Sequence, residues 1–267
     1  MKFVFLTITA LIGLVLLSSC VGPFVSLEGD PPVVNLNNQG QFFTNFSRYR
    51  GTRETLPLGM FVTGEDGSGR IAGGSPFNPF TGVHRFQRAQ QPASSFEGFG
   101  AFHKKDGAYS FGFREFGDTD LRNSRLFLRY RNPTDTAIIG FIVRFDVEAW
   151  VVGERDNRIR LKYNTSQTGF AEISNLVSVV NPRADLILTS SGSLPIYLDG
   201  TADKNRTRVT TQFLLENEHN ENGPFSPLQP GELAYFRWQY SNANFEQGEK
   251  RSALGITNIS IHPVFEE

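Results

Sequence analysis

The chain has 267 residues, with 26 basic against 27 acidic side chains and a formal charge of −1. Arg and Lys are interleaved with Asp and Glu along most of it, which gives no support to a nucleic-acid partner, since such binders gather a basic excess on one face. A single cysteine rules out an intramolecular disulfide, so the fold must rest on its core and its backbone pairing.

The amino end reads as an export signal. Lys2 supplies the positive start, and Phe3 to Leu17 is an apolar stretch near the upper end of the ~7–15 residues expected of a signal core. It is too short for a membrane-spanning helix, which needs about 20 apolar residues. Leu17-Ser18-Ser19-Cys20 resembles the lipobox of bacterial lipoproteins. That resemblance implies that residues 1–19 are removed, that Cys20 becomes the first residue of the mature chain, and that its thiol and new amino group carry two or three acyl chains. At about 0.8 kcal/mol per buried methylene, such an anchor is stable where one chain would not be. Val21 lacks the Asp that retains some lipoproteins at the inner membrane, so the outer membrane or cell surface is the expected location.

Residues 20–40 combine Gly, a Pro pair and polar residues without helical periodicity, and read as a tether. Residues 41–267 read as one domain, with no internal repeat. Strands are expected near 33–36, 42–46, 58–63, 108–113, 125–131, 138–150, 158–164, 186–189, 208–215, 233–240 and 254–261. The period of two is plain in "RIRLKYN", where Ile159, Leu161 and Tyr163 alternate with Arg158, Arg160 and Lys162, and in "AYFRWQY", where Phe236, Trp238 and Tyr240 share a face. "SRLFLRYRN" and "GFIVRFDVEAW" are nearly continuously apolar, as central strands are. "NPTDTA" between them is either a hairpin or a crossover between sheets. The nearest approach to a helical stripe is residues 171–180. The fold expected is all-β, a two-sheet antiparallel jelly-roll sandwich, whose inter-sheet space of about 10 Å the 25 phenylalanines fill.

The blocks "LFLRYRNPTDTAIIGFIVRFDVEAW", "YLDGTADKNRT", "GELAYFRWQYSN" and "ALGITNISI" resemble a lectin-like jelly-roll domain of exported bacterial proteins, over roughly residues 59–261. That resemblance implies the fold far more than a function. The family's last block ends in a pair of aspartates where this chain has Thr257-Asn258, which disfavours a calcium site there, because calcium wants six to eight oxygens with negative charge.

The candidates for chemistry are few. No Gly-x-Ser-x-Gly elbow, phosphate loop or Cys/His pair is present, and no cofactor, catalytic group or metal site is expected. Glu216, Glu218, His219 and Glu221 read as a solvated connection, Asp118 and Asp120 as a turn, and His84, His103, His219 and His262 are isolated from one another. A polysaccharide-cleaving enzyme needs two carboxyls about 5–10 Å apart. Asp146 and Glu148 come nearest, although the core residues Phe145, Val147 and Ala149 between and beside them make both acids the expected solvated side of a strand. Residues 66–93 form a long loop rich in Gly and Pro, in which Phe77, Phe80, His84, Arg85 and Phe86 are the candidate ligand contacts. Trp150 and Trp238 are expected in the core. The expected role is a lipid-anchored envelope protein that binds carbohydrate or another envelope component without catalysis; the alternatives are the enzyme and a purely structural lipoprotein.

Overall fold

The computed structural model describes residues 34, 39–51, 55–65, 86–89, 98–104, 107–114, 122–153, 155–165, 171–172, 179–180, 196–220, 223–243 and 251–266. All of them lie in the unit Pro31–Glu267. The signal, Cys20 and most of the tether fall outside the described residues.

The described strands, in chain order, are β1 (Phe42–Thr44), β2 (Met60–Glu65), β3 (Phe86–Ala89), β4 (Gly98–His103), β5 (Tyr109–Arg114), β6 (Arg122–Arg131), β7 (Ile138–Val152), β8 (Asn157–Asn164), β9 (Ala171–Glu172), β10 (Val179–Val180), β11 (Ile196–Tyr197), β12 (Arg206–Leu214), β13 (His219–Asn220), β14 (Gly223–Pro224), β15 (Leu233–Asn242) and β16 (Ala253–Phe265). Among the described residues there is no α-helix. The larger sheet runs β11-β7-β16-β5-β4-β3, with β12 also paired to β7 and β1 to β16. The smaller runs β10-β8-β15-β6-β2, with β9 also on β8. Pairing is antiparallel throughout except between β3 and β4, which are parallel. This is the jelly-roll sandwich expected.

Alternation places the core. In β8, Ile159, Leu161 and Tyr163 are buried and Arg158, Arg160 and Lys162 half-buried, as their spacing required. In β7, Phe141, Val143, Phe145 and Val147 face the same core as Phe236, Trp238 and Tyr240 of β15. Phe141 meets Phe236 edge-on at 5.0 Å and Phe145 meets Trp238 at 6.2 Å, so these rings stitch one sheet to the other. The link at residues 132–137 is the crossover, because β6 pairs in the smaller sheet and β7 in the larger.

Within 171–180, the nearest approach to a helical stripe, Ala171–Glu172 and Val179–Val180 form β9 and β10. Trp150 and Trp238 are both buried as expected, Trp238 between the sheets and Trp150 in a separate core cluster with Phe102, Val151 and Ala253. The expected run at 186–189 lies outside the described residues, and β3 and β4 were not anticipated.

Candidate functional site

The site is built on β1 and the loop that follows. Phe42 points into the core and Phe43, one residue on, points out. Beyond Thr44 the chain turns sharply. Phe46 N–H donates to Thr44 Oγ1 (3.2 Å), Ser47 N–H to Asn45 Oδ1 (3.0 Å) and Tyr49 N–H to the Phe46 carbonyl (3.0 Å). Phe46 holds φ at 57°, an unfavourable value for an aromatic residue, and the burial of its ring offsets the strain. That ring packs 5.9 Å from Tyr49 and 6.0 Å from Phe111, while Tyr49 lies 5.4 Å from Phe111. Burial pushes the Tyr49 phenol well above its ordinary pKa. Arg50 closes the loop by donating from Nη1 to the Ser47 and Tyr49 carbonyls (2.7 and 2.8 Å), its guanidinium 4.6 Å above the Tyr109 ring.

Between this loop and the segment entering β2 lies an open cleft of about 520 Å³, lined by residues 43–49 and 55–58. Phe43 is 65% exposed and Leu58 48%; they are the exposed large apolar side chains among the described residues, and both line this cleft. Asn45, Ser47 and Arg48 are exposed beside them. Arg48 makes no hydrogen bond or ion pair with a described residue.

Register extends the site across the outer face of the larger sheet. Phe43 stands opposite Ser260, Ser260 opposite Arg144, and Arg144 opposite Thr210, a row crossing β1, β16, β7 and β12. The next row is anchored by charge. At the register shift between Thr257 and Ser260, Asn258 adopts φ 51° and donates from Nδ2 to Asp146 Oδ2 (2.8 Å). Arg208 grips the same carboxylate with Nε (2.9 Å) and Nη2 (3.3 Å). Burial on its own raises the Asp146 pKa, but the Arg208 and Asn258 hydrogen bonds and the charges of Arg208 and Arg206 outweigh it and hold the carboxyl below its ordinary range. Further along β7, Glu148 Oε1 lies 3.0 Å from Lys104 Nζ, and Trp150 Nε1 donates to Glu148 Oε2 (3.0 Å). Lys104 Nζ also donates to Thr257 Oγ1 (3.2 Å), which in turn donates to the Asn45 carbonyl (3.2 Å). The charge network is thereby tied to the loop that forms the cleft.

Trp150 lies flat on Phe102, the rings 4.8 Å apart and 6° from parallel. Glycines make room for the stack. A Cβ on Gly112 would come 2.7 Å from the Phe102 ring, and one on Gly255 2.8 Å from Trp150 Nε1.

Asp146 and Glu148 are therefore not the solvated side of β7: they are 1% and 0% exposed. Their burial is possible because cations arrive from β12 and from the end of β4, and because the Trp150–Phe102 stack lies beside them. Neither lines the cleft. Phe77, Phe80, His84 and Arg85 lie outside the described residues, as do Asp118, Asp120 and Glu221. Phe86 opens β3, its backbone paired with Phe99, and its side chain is outside the description. Glu218 is buried, whereas Glu216 and His219 are exposed; Glu218 is thus not part of a solvated connection. Among the described residues no three His, Cys, Asp or Glu side chains converge on a metal position. At Thr257, the hydroxyl faces the ammonium of Lys104. Sequence reasoning missed Phe43, Asn45, Arg48 and Leu58; the "QFFTNFSRYR" stretch carried the signal, since paired phenylalanines in a strand must point opposite ways.

No protein-family model matches the chain, and no curated protein matches it in sequence. Solved structures match it in shape. An adhesin domain of Lys-gingipain from Porphyromonas gingivalis matches at a TM-score of 0.33 and 11% identity, over 60% of this chain and 78% of that one. The C-terminal CBM6 module of the laminarinase LamC from Zobellia galactanivorans matches at 0.29 and 11%, over 61% and 87%. A CBM28 carbohydrate-binding module specific for non-crystalline cellulose matches at 0.33 and 7%, over 66% and 88%. The binding roles named there belong to the matched proteins.

Proposed function

We propose that the chain is a lipid-anchored protein of the bacterial envelope, exported by residues 1–19 and acylated at Cys20, whose sandwich binds carbohydrate in the cleft beside Phe43 and carries out no reaction. One observation supports the binding role above others: the two large apolar side chains left open to water among the described residues line a single cleft whose other walls offer hydrogen-bonding groups. An apolar ring against a sugar face, with amide, hydroxyl and guanidinium groups around it, meets the mixed surface a saccharide presents. The loop is fixed by its own hydrogen bonds before any ligand arrives, which lowers the entropic cost of binding. A binding role also agrees with the engagement of Asp146 and Glu148. Glycoside cleavage needs a carboxylic acid and a carboxylate open to substrate, and both groups here are buried against cations.

The test is a glycan array probed with the full chain in detergent, wild type against Phe43→Ala. At least one glycan should be retained by the wild type and lost at least tenfold in the variant. A blank array, or identical profiles, would falsify the carbohydrate reading. Labelling cells with an alkyne palmitate checks the anchor: Cys20→Ser should abolish incorporation.

A further inference from the structure

The cleft and the strand row beside it carry positive charge that the fold leaves uncommitted. Arg48 lines the cleft and Arg144 stands two strand spacings from Phe43, about 10 Å, along the Phe43–Ser260–Arg144–Thr210 row. Both are exposed, and neither is hydrogen-bonded or ion-paired to a described residue. In the next row, Asp146 is buried and held by Arg208 and Asn258. Ser260 and Thr210 add hydroxyls, half-buried and exposed. An exposed aromatic ring with one unpaired arginine in its cleft and another two strands away, on a chain whose overall charge is near neutral, is a local feature and not the by-product of a basic protein.

We infer that this track takes an acidic saccharide, with a neutral sugar face on Phe43 and carboxylate or sulfate groups on Arg48 and Arg144. The inference rests on the carbohydrate reading of the same cleft and names its ligand class. The guanidinium fork receives a planar carboxylate through two parallel hydrogen bonds, and a sulfate ester through the same donors. Both groups share the needed chemistry, a fixed negative charge with several acceptor oxygens.

The full chain in detergent is titrated with polygalacturonate and its methyl-esterified form, with dextran sulfate and dextran, and with single-stranded DNA of matched charge. At least one acidic polymer should bind tenfold or more tighter than its neutral counterpart, and the difference should shrink as salt is raised. Whichever pair shows the difference separates uronate from sulfate. Arg144→Gln should remove most of it without changing binding of the neutral form, Arg48→Gln should lower it as well, and Arg144→Lys should keep part of it. Both arginines are exposed, and unchanged melting temperatures will show that the variants are folded. Equal binding of acidic and neutral forms, still dependent on Phe43, overturns the charge inference and leaves the cleft reading standing. A preference that survives the double variant, or DNA held as tightly as the best polysaccharide, overturns it as well. Absence of binding to every polysaccharide removes both.

Discussion

Asp146 is held by three donor contacts from two other strands, and its value to the fold depends on its staying ionised. Its folded pKa lies below the ordinary aspartate value, near 3.9, so the sign follows directly. Above that pH, folded and unfolded chains both carry the charge and the stabilisation is fully present. As pH falls, the unfolded chain takes up a proton first, and the stabilisation fades until pH passes the folded pKa. Melting curves from pH 7 to pH 3 should therefore show Asp146→Asn less stable at neutral pH, with its deficit narrowing toward the acid end; parallel curves for the two proteins would show that the pair has no such role. The exposure of Arg208 keeps the effect modest. Little of this was legible beforehand. The alternation in "FDVEAW" correctly put Asp146 and Glu148 on the face away from the core, but whether that face meets water depends on Lys104 and Arg208, which only strand pairing brings near. Phe43 was hidden for a similar reason, because its register against Ser260 decides which of two adjacent phenylalanines is left outside.

Single elements show where local sequence suffices and where it does not. β8 could be read directly, since its apolar residues alternate with cations and one sheet face is all it covers. β4 could not: "GFGAFH" contains two glycines and shows no clear strand signal, yet it pairs with β5, where Gly112 leaves the space that the Phe102 ring fills. The crossover at 132–137 was half legible. Turn formers announced a reversal, but the same residues serve a hairpin, and only the partners of β6 and β7 decide. Asn132 fixes this link, with Nδ2 donating to the Thr136 and Leu228 carbonyls (2.9 and 3.0 Å) and Oδ1 accepting from Thr134 N–H and Oγ1 (3.0 and 2.7 Å). Removing this buried amide takes away all four of these hydrogen bonds, while the Leu228 carbonyl keeps Ile138 N–H (3.0 Å) and the Thr136 carbonyl keeps Thr134 Oγ1 (2.9 Å). Asn132→Ala should cost about 1–3 kcal/mol in urea unfolding, and a cost near zero would mean that the crossover is held by its backbone bonds alone.

At the scale of the whole molecule, the two sheets are joined through rings, as the abundance of phenylalanine suggested. Phe141 touches Tyr130 and Phe236 on the smaller sheet and Phe213 on its own. Phe141→Ala should lower stability by about 3–5 kcal/mol. Phe43→Ala, on the outside, should stay within about 0.5 kcal/mol. Chemical denaturation of both tests this, and similar losses would place Phe43 in the packing and take it out of the recognition surface. The topology also has a temporal side. β16, last of the strands in the chain, lies between β7 and β5 and holds β1 as well. A nascent molecule emerging amino end first thus has every neighbour of that central position before the position itself is filled. Until residues 253–265 arrive, the flanking strands present raw edges, and chaperones or proteases have their widest opportunity in that interval.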